Sequence, residues 1–209
     1  LDAATRALLA QYRGDPIAAG QAALGRRGFL FNLFQNWLWV ESVRDQSLQT
    51  KEYALGAEAI ATRYGFDLRN PRTQSLPQST AAPALAQILL AAGKRQVAER
   101  LLAQTIQWID DHPHYGLVGV YRTKAAALML LGQRDQALST LKASIETGHD
   151  IRHLWYLIEH DPIWQPVHGD PRFRAIAEFC RQAAQVERAK LDELRRSGKV
   201  PLRQAARRT

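Results

Sequence analysis

One pattern of small and apolar residues is written twice between Ala82 and Thr147. Ala86, Leu89, Gly93, Ala98 and Leu102 recur as Ala125, Leu128, Gly132, Ala137 and Leu141, each pair 39 residues apart. Self-similarity at a fixed interval of this size marks a repeated supersecondary unit that buries its apolar face only against its neighbours. In the second copy Tyr121, Ala125 and Leu128 stand at i, i+4 and i+7 and share one helical face. Gly132 then offers the left-handed conformation that ends a helix. Ala137, Leu141 and Ile145 repeat the spacing on the helix that follows. Two such stripes close as an antiparallel pair, and alanine at the crossing lets the axes approach to about 8–10 Å.

Tyr121, Ala125, Leu128, Gly132 and Ala137 together resemble the tetratricopeptide repeat family. In order they match its early aromatic, small residue, leucine, turn glycine and second small residue. The first copy departs at Ala82, where the aromatic belongs. The interval exceeds the family's length of about 34 residues, and His112-Pro113-His114-Tyr115-Gly116 reads as the inserted loop. The resemblance implies an all-α, right-handed superhelical solenoid of TPR-like helix-turn-helix repeats with a C-terminal capping helix, its two clear repeats at 81–148.

Residues 1–64 read as degenerate helix pairs of the same kind. Ala7, Gly14 and Ala19 reproduce the repeat's spacings, and Asp15-Pro16 fits a cap followed by a first-turn proline. Phe29 to Val43 and Leu48 to Tyr64 read as two helices joined at Arg44-Asp45-Gln46. Phe29, Phe31, Phe34, Trp37 and Trp39 lie on more than one face. Trp37 and Trp39 could wall a small-molecule pocket, or the helix could be sandwiched between neighbours and apolar for that reason. Gly65 to Thr80, with Pro71 and Pro77 among polar residues, reads as a loop, mobile or functional.

Residues 149–196 differ in character. Asp161-Pro162 and Asp170-Pro171 each supply a capping oxygen and a proline that needs no amide partner, so each starts a helix. Phe173, Ile176, Cys180 and Ala183 form a stripe that fades at Glu187 and Lys190, so the last turns should project into solvent. Trp155, Tyr156, Ile158, Trp164, Phe173 and Phe179 are expected to cover Leu141 and Ile145 as a terminal cap. The run His153-Leu154-Trp155-Tyr156, His160-Asp161-Pro162-Ile163-Trp164 and Gly169-Asp170-Pro171-Arg172-Phe173 resembles the close of tetratricopeptide regions in bacterial proteins. Such regions often follow a winged helix and a membrane anchor, as in regulators similar to the acid-response activator family. That resemblance implies part of a larger bacterial regulator, periplasmic if anchored and otherwise cytoplasmic.

Composition sets bounds. Hydrophobic residues at 46% suffice for a continuous core. The single cysteine excludes an internal disulfide and is expected on the buried side of its helix. Phe29 to Val40, the most apolar run, is too short for the ~20 residues a bilayer span needs. The sequence starts at Leu1 without a signal-like region, so a processed or excised fragment is expected. Residues 181–209 carry nine Lys or Arg against three acids, a net of +6 of the chain's +8. With no interleaved aromatics, 197–209 reads as a disordered basic tail and not a nucleic-acid site.

No P-loop, nucleophile elbow or dinucleotide motif is present, and Ser139, Ser144 and Cys180 have no assigned base, so neither catalysis nor a cofactor is expected. His149 and His153 with Asp150 lack a third ligand, so no metal is expected either. The expected function is a protein-protein interaction scaffold whose concave groove takes a peptide or partner domain. One residue round from the packing face, Arg122, Ala126 and Met129, with Gln87 and Leu90 of the preceding repeat, are the groove candidates. Arginine beside methionine would suit an acidic, apolar segment. The alternative is a small-molecule-sensing domain of a transcriptional regulator, built on Trp37 and Trp39.

Overall fold

A computed structural model describes residues 33–112, 120–146 and 159–199, with Asp15, Ile17 and Ala18; at 33–38, 120 and 121 it describes the backbone alone. Among the described residues the chain is helical and has no strand. In order come α1 (Leu33–Thr50), α2 (Tyr53–Tyr64), α3 (Leu76–Ala91), α4 (Arg95–Asp111), α5 (Val120–Leu130) and α6 (Arg134–Glu146). A 3-10 turn (Pro162–Val167) and the long α7 (Pro171–Arg196) follow.

The repeated segment folds as two helix hairpins, α3–α4 and α5–α6. Every apolar member of the pattern is buried in both: Ala86, Leu89, Ala98 and Leu102 in one, Ala125, Leu128, Ala137 and Leu141 in the other. Both hairpins turn on a left-handed glycine, Gly93 at φ +76° and Gly132 at φ +79°. In each, the glycine N–H donates to the second-last carbonyl of the helix and the next N–H reaches further back. Those bonds are Gly93 to Leu90 (3.0 Å) and Lys94 to Leu89 (2.8 Å), then Gly132 to Met129 (2.9 Å) and Gln133 to Leu128 (2.9 Å). This double bond satisfies carbonyls that the end of a helix leaves open.

Each helix from α1 to α6 packs on the next, and α1 also packs on α3, and α3 on α5. The odd-numbered helices therefore share one layer, backed by α2, α4 and α6. The 3-10 turn lies against α5, and α7 against α6. Two apolar clusters result. One gathers α1 to α4 around Ile60, Leu85, Leu89 and Leu101. The other joins α5 and α6 to Ile163, Trp164, Phe173 and Ile176.

The C-terminal expectations hold at several points. Asp161 Oδ1 accepts from Ile163 N at 3.0 Å and Asp170 Oδ1 from Arg172 N at 2.8 Å, so both Asp-Pro pairs cap a helical start. Phe173, Ile176 and Cys180 are buried, and every residue from Gln185 to Leu194 is exposed. Trp164 and Phe173 stack at 6.1 Å within the cluster that holds Leu141 and Ile145. Phe179 departs from the expectation: at 43% exposure it covers nothing. Trp155, Tyr156 and Ile158 lie outside the described residues, as do most of 1–32, His149, His153 and 200–209. Asp15 does cap, its Oδ1 accepting from Ala18 N at 2.9 Å.

Two boundaries are corrected. Arg44-Asp45-Gln46 is no joint, since α1 runs through it to Thr50. The break falls at Lys51, which takes φ +62° without being glycine. The 65–80 loop ends early, because Ser75 caps α3, its Oγ accepting from Gln78 N at 3.4 Å, with Pro77 in the first turn. The remaining connection is tied down. Gln78 Nε2 donates to Tyr64 O at 3.0 Å, Thr73 and Thr105 hydroxyls meet at 2.7 Å in the interior, and Phe66 is buried.

Candidate functional site

The most unusual chemistry lies where α1, α5 and the 3-10 turn converge. Arg44, 1% exposed, stands among three carboxylates. Its Nη1 is 2.5 Å from Glu41 Oε2 and 3.0 Å from Asp161 Oδ1, and its Nη2 is 2.7 Å from Asp45 Oδ1. Nε donates to the same Asp45 oxygen at 2.8 Å. Nη1 is out of hydrogen-bond alignment with both of its acids, so those two contacts are ionic. Arg122 of α5 faces Glu41 from the other side and adds a second positive charge to its surroundings.

Helix geometry explains half of this site. Glu41 and Arg44 lie three apart on α1 and share a face. The other half comes from the far end of the chain, because capping the 3-10 turn fixes the Asp161 carboxylate in place for Arg44. Burial pushes the Glu41 carboxyl up to about 7, partly opposed by Arg44 and assisted by Asp161 and Asp45. Burial also raises Asp45. Burial works against the Arg44 charge, but the three acids outweigh it and hold the guanidinium protonated. A buried ion cluster of this composition specifies geometry more than it adds stability.

The residues expected to line a groove divide. Gln87, Leu90 and Arg122 are half-buried, on helices α3 and α5 that pack directly together. Gln87 Oε1 is buried without a hydrogen-bond partner. Ala126 and Met129, by contrast, are 7% and 6% exposed and belong to the cluster that contains Ile163, Trp164 and Val167. They do not form an open surface, because the 3-10 turn packs against α5.

Trp39 is 7% exposed within the first cluster, 6.2 Å from the Tyr64 ring and with the Arg63 guanidinium 4.5 Å above it. Core packing and one cation–π contact account for it. The side chain of Trp37 lies outside the described residues. His112 closes α4 locally, stacking on Trp108 at 4.4 Å with Nδ1 2.7 Å from Trp108 O. Among the described residues no group of three or more His, Cys, Asp or Glu is placed to hold a metal ion. None of their helices is long and apolar enough to cross a membrane.

Two clefts open on the other side. One, of about 810 Å³, lies between the Gly132 turn and the start of α7. Its charges are already matched, Arg172 Nη2 lying 2.8 Å from both Asp135 and Asp170. The second, of about 700 Å³, runs over α4, α5 and α6 past Ile106, Leu128 and the Asp110–Lys124 pair.

The architecture defines an all-helical protein of hairpins packed against their neighbours, with a buried ionic cluster joining its first and last described parts. Comparison with family models, with curated proteins and with solved structures returned no match.

Proposed function

We propose that the hairpins are TPR-like repeats stacked in a right-handed solenoid, and that the chain is a non-catalytic scaffold holding a peptide or partner domain on the α1–α3–α5 layer. The observation that carries this reading is the agreement of the two hairpins in burial and turn geometry at all five repeated positions. A unit that recurs with the same buried positions grows by stacking, and a layer of first helices then forms an extended receiving surface. Gln87 supports the choice of layer. An amide oxygen buried without a donor is an acceptor that a partner backbone N–H can satisfy.

Arg122, half-buried on α5, is the cation offered to an acidic partner. Capture from a cell extract on the immobilised chain, compared with Arg122→Ala, tests the assignment. Loss of a specifically captured protein is the expected result, and equal capture removes Arg122 from the surface. The sensing alternative loses its motive at Trp39, whose ring is spent on the core. A metabolite that raises the melting temperature saturably would restore it.

A further inference from the structure

The 3-10 turn reaches further than a cap requires. Covering the last hairpin calls only for contact with α5 and α6, which Trp164, Phe173 and Ile176 make in the cluster with Leu141 and Ile145. Asp161 goes on to Arg44 of α1, on the first described hairpin. Between these two anchors the segment covers the side of α5 that carries Ala126 and Met129. It brings an acid for the arginine and a large aromatic for the apolar surface.

We propose that Glu159–His168 is an intramolecular occupant of the receiving face, and that the partner taken in trans is a segment of the same chemistry. That segment presents a carboxylate to Arg44 and, three residues later, a bulky aromatic to the surface of Ala126 and Met129. The proposal rests on the interaction-scaffold reading and narrows it to one class of partner. Arg44 sets the requirement for the acid, because a guanidinium 1% exposed has no water to turn to when Asp161 leaves. Trp164, also 1% exposed, sets the requirement for the aromatic.

The segment is built to leave without being lost. Glu159 forks onto Arg181 of α7 at 2.7 and 3.3 Å, and His168 stacks on Phe173 at 5.3 Å, so both of its ends are held by α7. The contacts with α1 and α5 can then open while the segment stays tethered. A tether of this kind keeps the local concentration of the occupant in the millimolar range, so a free segment competes only when the internal one is weakened.

The probe is a fluorescent peptide with the sequence of residues 159–169, titrated into the full chain and followed by anisotropy. Asp161→Asn retains a capping oxygen for Ile163 and gives up the carboxylate. It is expected to bind the peptide roughly tenfold more tightly than wild type does. The same peptide carrying D161N or W164A is expected to lose that gain. If Asp161→Asn does not fold, Glu159→Gln, which releases only the Arg181 fork, provides the comparison. Equal affinity for the wild-type and variant chains overturns the proposal, as does a peptide indifferent to its own acid and aromatic. A concentration-dependent wild-type dimer would overturn it in favour of a second copy as the occupant. A chain that ignores the peptide yet still captures a partner through Arg122 would remove this occupant and leave the scaffold reading standing.

Discussion

Gly56 and Ser47 set the closest approach of α2 to α1: a Cβ built on Gly56 would stand 1.8 Å from Ser47 Oγ and 2.7 Å from Ser47 Cβ. The hydroxyl is held by its bond to Val43 O at 2.7 Å, and Ile88 closes the space at 3.3 Å. Gly56→Ala should therefore destabilise the chain by about 1–3 kcal/mol through overpacking, although alanine is the better helix former by about 1 kcal/mol. Adding Ser47→Gly should recover part of the loss. Urea midpoints decide, and an unchanged midpoint for the single variant would contradict the close approach.

At Gly132 the obstacle is backbone conformation alone, since nothing lies within 4 Å of a Cβ placed there. Gly132→Asn should be tolerated better than Gly132→Val, because asparagine visits the left-handed region and a β-branched residue does not. Ala137, fully buried at the crossing of α5 and α6, answers to space instead. Ala137→Leu should cost about 1–3 kcal/mol. Thermal melts of the three variants separate the two causes.

The pH response follows from Glu41. Folded Glu41 keeps its proton up to about 7, against 4.5 for the free side chain, so between those values the folded chain binds more protons than the unfolded one. Stability from this group is complete below 4.5 and is lost as pH rises towards about 7. Asp45, raised by burial too, acts in the same direction. Glu41→Gln should flatten that decline in chemical denaturation, and an unaltered slope would show that Glu41 is ionised throughout. Arg44→Gln leaves the acids uncompensated and should cost about 3–5 kcal/mol at pH 8, with a smaller loss at pH 5, where the carboxyls take protons.

Truncation separates the buried and exposed halves of α7. Ending the chain after Ser197 should leave the melt unchanged, since nothing from Gln185 to Leu194 is covered. Ending it after His149 removes Trp164, Phe173, Ile176 and Cys180 from the cluster around Leu141 and Ile145, and should cause aggregation. Light scattering on the two truncated chains reads the difference.

The hairpins were legible in the sequence because glycine, alanine and leucine at fixed spacing report purely local needs: a left-handed turn, a close crossing, an apolar stripe. The ionic cluster was not. Arg44 and Asp45 look like surface residues of a turn until Asp161 is known to lie beside them, and no local pattern joins positions so distant. Met129 and Ala126 were correctly put on a face of their own, but the occupant of that face comes from beyond the repeats. At Ser75-Leu76-Pro77 the signal was present and outweighed: a capping serine followed by a proline opens a helix, yet the polar residues before it drew the loop boundary too late.

The Arg44–Asp161 bridge also bears on how the chain unfolds. Helices that touch mainly their sequence neighbours can fray from either end, each hairpin opening with little effect on the rest. One contact that spans the row changes this, because loosening α1 releases Asp161, and releasing Asp161 uncovers α5. The two extremities are thereby coupled, and hydrogen exchange in α1 and in the 3-10 turn should slow or quicken together.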